Sequence, residues 1–200
     1  MSCHRNIVAF VNRLPPDGWF ATRQVLEFGT REAVDQALYR LVKSGYLLRI
    51  AWGVFTLRID QPKALEPLAV AAFKANVFKK TVAVHGQDIA KKLGLSSYGN
   101  EGPTFAVYGV SSSFQSVDQK ICLKNFSARK ISLGDTPLGQ TIRSLWFVGR
   151  ERCESRTVKT AMACLSPDEV TEMTSSAHLM PGWLTRLVRH ANGWQPPTIL

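Results

Sequence analysis

The sequence predicts an α+β protein in two parts, and three observations predict it. Apolar residues recur at helical spacing over 7–14 and again over 33–42, then give way at Tyr46 to short β-forming runs. Turn residues at Pro15-Pro16-Asp17-Gly18, Gly29, Gly45 and Ala51-Trp52-Gly53 punctuate that pattern. Beyond residue 60, helix-like and strand-like segments follow one another with no internal repeat.

The first part reads element by element. Ile7, Val8, Phe10, Val11 and Leu14 make an amphipathic helix, ended by the proline-glycine turn. Trp19-Phe20 is a short strand suited to pair with a later hairpin. Thr22 is the expected cap of a second short helix over 23–28, closed by Gly29. Thr30 then caps a third helix, its hydroxyl accepting from an orphan amide of the first turn. Ala33, Val34, Ala37, Leu38, Leu41 and Val42 form its apolar stripe, and Arg31, Glu32, Gln36, Tyr39, Arg40 and Lys43 its opposite face. Gly45 stops it. The runs 46–50 and 54–57 form a hairpin closed at Ala51-Trp52-Gly53. Three helices and a hairpin within residues 1–60 describe a winged helix-turn-helix, a module used to read DNA and also for protein contact.

Residues 61–200 read as a mixed α/β C-terminal domain. Pro62 and Pro67 flank its boundary. A helix over 65–78, with Leu65, Leu68, Ala69, Ala72, Phe73 and Val77 sharing a face, is expected as a connector packed on both parts. A strand at 81–84 leads into a helix opened by Gly86 and ended by Gly94. Residues 103–133 are expected to be antiparallel β, with strands near 104–109, 120–123 and 130–133. Leu138, Ile142, Leu145 and Trp146 mark a helix. Ser166-Pro167-Asp168-Glu169 is a capping box. Pro181-Gly182-Trp183 starts a last helix, with Arg186, Arg189 and His190 outward, before a proline-containing tail from Trp194.

The chain carries a formal net charge of +10, which favours a polyanionic partner. Residues 1–60 hold eight basic and five acidic residues, a net +3; residues 61–130 hold ten and four, a net +6. The candidate contacts of the first part are Arg31, Gln36, Tyr39, Arg40 and Lys43 in a major groove and Arg49 and Arg58 on the backbone. A second-domain basic surface comprises Lys79, Lys80, Lys91, Lys92, Lys120, Lys124, Arg129 and Lys130. Lysines near strand ends also serve to discourage edge-to-edge pairing.

No phosphate-binding loop, dinucleotide fingerprint, H-E-x-x-H or nucleophile elbow occurs. His85-Gly86-Gln87-Asp88 places an acid near a base, but it equally suits a strand-to-helix junction with Asp88 in the first turn. Cys3, Cys122, Cys153 and Cys164 lack metal-ligand spacing and read as free thiols. The sequence therefore reads as a binder and not an enzyme, with no cofactor and no metal. No run is long enough to span a membrane, and the N-terminus reads as the first helix rather than a signal, so the expected location is the cytoplasm.

The ordered set T-R-E-A-V-D-Q-A-L-Y-R-L-V-K-S-G-Y-L-L-R-I-A-W-G-V-F, H-G-Q-D-I-A-K-K-L-G-L-S, I-R-S-L-W-F-V-G-R and L-M-P-G-W-L-T-R-L-V resembles the abortive-infection E-type antitoxins of type IV toxin–antitoxin systems. The resemblance implies a repressor that binds inverted repeats of double-stranded DNA in its own promoter. It also implies a second domain that counters a nucleotidyltransferase-like toxin without a stable complex. The alternative is a solitary winged-helix regulator with no toxin. This chain departs from the pattern at the wing tip, where Trp52 replaces a basic residue and leaves phosphate contact to Arg49 and Arg58. With no exposed dimer helix, the expected state is a monomer that pairs on two half-sites.

Overall fold

The computed structural model describes residues 2–15, 17–58, 65–99, 101–117 and 119–193. Pro16 of the first turn, Pro62, the expected boundary at 60/61 and the tail at 194–200 lie outside the described residues. The fold is α+β. The chain divides into two compact units: Met1–Lys80 with Ser113–Cys122, and Thr81–Ser112 with Leu123–Leu200.

In the first unit, α1 (Cys3–Val11) is capped by Ser2, whose hydroxyl accepts from the Arg5 amide. β1 (Trp19–Ala21) follows, then a 3₁₀ helix (Thr22–Phe28). Thr22 is not the cap expected of it. Gln24 reaches back instead, its Oε1 accepting from the Ala21 amide at 2.8 Å, while Thr22 itself is buried. α2 (Arg31–Lys43) begins at Thr30, which accepts from the Ala33 amide at 3.3 Å. β2 (Leu47–Ala51) and β3 (Val54–Leu57) form an antiparallel hairpin, and β1 pairs with β3 to give the order β1-β3-β2. The core of this unit gathers Ile7, Val11, Phe20, Val25, Leu38, Leu41 and Phe55. Phe20 is fully buried and stacks on Phe55 at 5.6 Å. A ring so buried contributes about 1.5–3 kcal/mol and fastens β1 to the hairpin.

α3 (Pro67–Val77) belongs to the first unit. Its buried residues are Val70, Ala71 and Ala75, so the inner face is rotated from the expected one, and Ala69 and Ala72 are exposed. Apolar residues lie almost all round this helix, so their spacing does not select a face.

The second unit contains β4 (Val82–Val84), α4 (Gly86–Lys92) and β5 (Thr104–Val107), with β4 and β5 antiparallel. β6 (Ser112–Gln115) belongs to the first unit from Ser113 onward, and β7 (Lys120–Asn125) to the first unit as far as Cys122 and to the second from Leu123; the strand order is β4-β5-β7-β6. The expected strand at 130–133 is instead a short helix, α5 (Ala128–Ile131). Its alternating Lys-Ile-Ser-Leu is too short a pattern to separate a strand from a single helical turn. α6 (Pro137–Val148), α7 (Ser155–Met162), α8 (Pro167–Ser175) and α9 (Gly182–Ala191) close the chain around Leu145, Val158, Met173, Leu184 and Val188. The capping box of α8 forms on both sides: Ser166 Oγ accepts from the Glu169 amide and Glu169 Oε2 from the Ser166 amide.

α4 and α6 are locked together. A Cβ on Gly86 would lie 2.1 Å from the Arg143 carbonyl oxygen, so only glycine permits this approach. Arg143 is itself 1% exposed. Its guanidinium donates to the carbonyls of Val84 and Gly134 and pairs with Asp135 at 3.1 Å. Asp135 also accepts from the Val84 amide at 3.1 Å, so the buried charge is fully answered.

Candidate nucleic-acid interface

α2 supplies the candidate surface. Burial of Val34, Ala37, Leu38 and Leu41 fixes its rotation and leaves Arg31, Gln36, Tyr39, Arg40 and Lys43 exposed. Tyr39, at 63% exposure, is held out of the core. Arg31 Nε pairs with Asp35 Oδ2 at 2.8 Å, both side chains being more than half exposed. Such a pair is worth no more than about 1 kcal/mol, so the guanidinium remains open to a stronger anion. Asp35 is the one acidic neighbour of Arg31 that the sequence reading passed over.

The hairpin turns on Trp52-Gly53, with Gly53 at φ +76°, a left-handed conformation suited to glycine. The Arg49 guanidinium lies 4.1 Å over the Trp52 ring, and Trp52 is 72% exposed. Stacking of this kind contributes about 0.5–1 kcal/mol at an exposed site. It uses the face of the guanidinium and leaves its N–H fork directed to donate to an anion such as phosphate. Arg58, just beyond β3, is exposed, and its amide donates to the Tyr46 carbonyl. Arg31, Tyr39, Arg49 and Trp52 line one cleft of about 260 Å³ with Asp35. Gln36, Arg40, Lys43 and Arg58 are not part of that lining.

Sequence reasoning missed Lys74. It lies on α3, its Nζ donating to the Trp52 carbonyl at 3.2 Å and sitting 4.1 Å from the Phe114 ring centre. Burial, and after it the charge of Arg49, lowers its pKa. No local pattern announces this role, because both contacts come from distant segments.

The expected second-domain basic surface is divided. Lys79, Lys80 and Lys120 belong to the first compact unit, and Lys91, Lys92, Lys124, Arg129 and Lys130 to the second. Lys91 and Lys92 are exposed in the last turn of α4, where cations complement the helix dipole. Lys124 is exposed on β7. Arg129 and Lys130 lie 5.2 and 4.4 Å over the Trp146 ring. Burial, then Arg129, lowers the Lys130 pKa. These two are engaged in packing, and Lys130 is half-buried.

The His85–Asp88 motif is a helix start. His85 is buried as the cap of α4, its Nδ1 accepting from the Gln87 amide at 3.1 Å, with its ring edge-on to Phe126 and Phe147. Burial first, then Lys124, Arg143 and Lys130, push its pKa down to about 4, so it stays neutral near pH 7. Asp88 accepts from Gln87 Nε2 at 3.3 Å, and burial raises its pKa. Among the described residues no three of His, Cys, Asp and Glu gather as a metal set. Cys3, Cys122, Cys153 and Cys164 are free thiols. No helix among the described residues is long and apolar enough to cross a membrane.

No family model matches the chain, and no curated protein matches it. Among solved structures, the chain is similar to the RV2827C protein from Mycobacterium tuberculosis, with 10% identity and a TM-score of 0.40, over 98% of this chain and 82% of that one.

Proposed function

We propose that the first unit is a winged helix that binds double-stranded DNA, with α2 in the major groove and the β2–β3 hairpin as the wing. The observation that carries this reading is the exposed face of α2, which presents Gln36, Tyr39, Arg40 and Lys43 behind an N-terminal Arg31 and beside the Arg49–Trp52 stack. Gln36 can pair with adenine and Arg40 with guanine through two hydrogen bonds each. Arg31 opens the helix, where recognition helices meet base edges. Lys43, Arg49 and Arg58 serve the phosphates. The order helix, strand, short helix, helix, hairpin agrees with this assignment. The protein acts as a repressor on inverted repeats in its own promoter, as a monomer in the cytoplasm that pairs on two half-sites.

The test is a set of affinity measurements on the DNA upstream of the gene. Arg31→Ala or Arg40→Ala loses roughly 1–3 kcal/mol and relaxes the preference at one base pair. Lys43→Ala weakens all sequences alike. Operator affinity unchanged in both arginine variants would overturn the assignment of α2.

An antitoxin activity follows from the resemblance alone. On that reading, the second unit counters a nucleotidyltransferase-like toxin without holding it in a stable complex. Co-expression with a neighbouring gene of that class should restore growth that the gene alone arrests. Arrest that persists at equal expression would leave the solitary regulator.

A further inference from the structure

Trp52 and Phe78 are large aromatics left 72% and 58% exposed, and both border one cavity of about 460 Å³ within the first unit. Leu26, Val54 and Val77 line it, together with three cations, Arg23, Arg31 and Lys74, and with no carboxylate among its lining residues. Lys74 is already penalised by burial and by the charge of Arg49, a strain that an anion beside it would relieve. Arg23 spends one donor on a long 3.5 Å hydrogen bond to the Val77 carbonyl and is otherwise exposed. A mostly apolar cleft of this size with a few convergent polar groups suits a one- or two-ring ligand.

We propose that this cavity binds a small aromatic carboxylate. The ring lies against Leu26, Val77 and Trp52, and the carboxylate meets Arg23 and Lys74. Arg31 and Trp52 belong both to this cavity and to the surface assigned to DNA, so an occupied cavity competes with the operator. That second step rests on the DNA-binding reading; binding of the carboxylate does not.

The experiment is a calorimetric titration of the full chain with 2-naphthoate, and with 2-naphthamide as the neutral isostere. The carboxylate should bind saturably at one site, with the amide about tenfold weaker or more, the order of a charge-assisted hydrogen bond. Arg23→Gln should weaken the carboxylate by a similar factor, and Val77→Trp should fill the space and abolish binding. Arg23 is exposed, so its variant reports on the site even where the tryptophan variant fails to fold. Saturating 2-naphthoate should weaken operator binding in a gel shift. No saturable uptake, or uptake indifferent to both substitutions, overturns the site. Unchanged operator affinity at saturation overturns the competition. A chain that ignores its upstream DNA refutes the DNA reading instead, and the titration still decides the site.

Discussion

At the scale of single residues, Arg49 and His85 show how one neighbour sets what a charge can do. Arg49 stacks on an exposed Trp52, a contact made through the face of the guanidinium and not through its N–H edge. His85 is the opposite case: it is sealed under Phe126 and Phe147 and serves as a helix cap. Its folded pKa of about 4 lies below the ordinary 6.5, so between those values the unfolded chain holds more protons. Stability contributed by neutral His85 is therefore full above about pH 6.5 and is lost as pH falls toward 4. A His85→Asn variant retains a capping acceptor without titrating. Its melting temperature should fall less steeply across that interval than the parent's; identical slopes would contradict the buried-cap account.

At the scale of elements, the approach of α4 to α6 is the most constrained contact. Gly86→Ala places a methyl against the Arg143 backbone and disturbs the helix that carries Arg143, and with it the pair to Asp135. Overpacking of this kind costs typically about 1–3 kcal/mol. Urea denaturation should show that loss, while Gly182→Ala, where a Cβ meets nothing within 4 Å, should stay close to wild type. Legibility in the sequence also varied by element. α2 and its hairpin were plain, because a 3.6-residue period gives way to β-formers across Gly45. The inner face of α3 was hidden by its nearly uniform apolarity. α5 imitated a strand. α7 went unseen because only Val158, Ala161 and Met162 of its eight residues are buried and its cap is a Glu154–Thr157 pair. The candidate surface was legible wherever helical spacing alone exposes a side chain, as at Gln36 and Arg40. It was not legible at Lys74, whose contacts with Trp52 and Phe114 exist only after folding.

At the scale of the whole molecule, the charge of +10 favours a polyanionic partner. Not all of that excess is equally available: Arg143 is buried, Arg129 and Lys130 lie over Trp146, and exposed cations occur in each unit. On the proposed DNA-binding reading, sequence selectivity comes from α2 and phosphates supply a salt-dependent background. The most direct measurement is a gel-shift titration of the full chain on its own upstream DNA, against scrambled DNA of equal length, at two salt concentrations. Binding should be tighter to the upstream DNA, with log affinity falling by about 0.9 per contacted phosphate for each tenfold rise in salt. Equal affinity for the scrambled DNA, or affinity indifferent to salt, would contradict the DNA-binding reading.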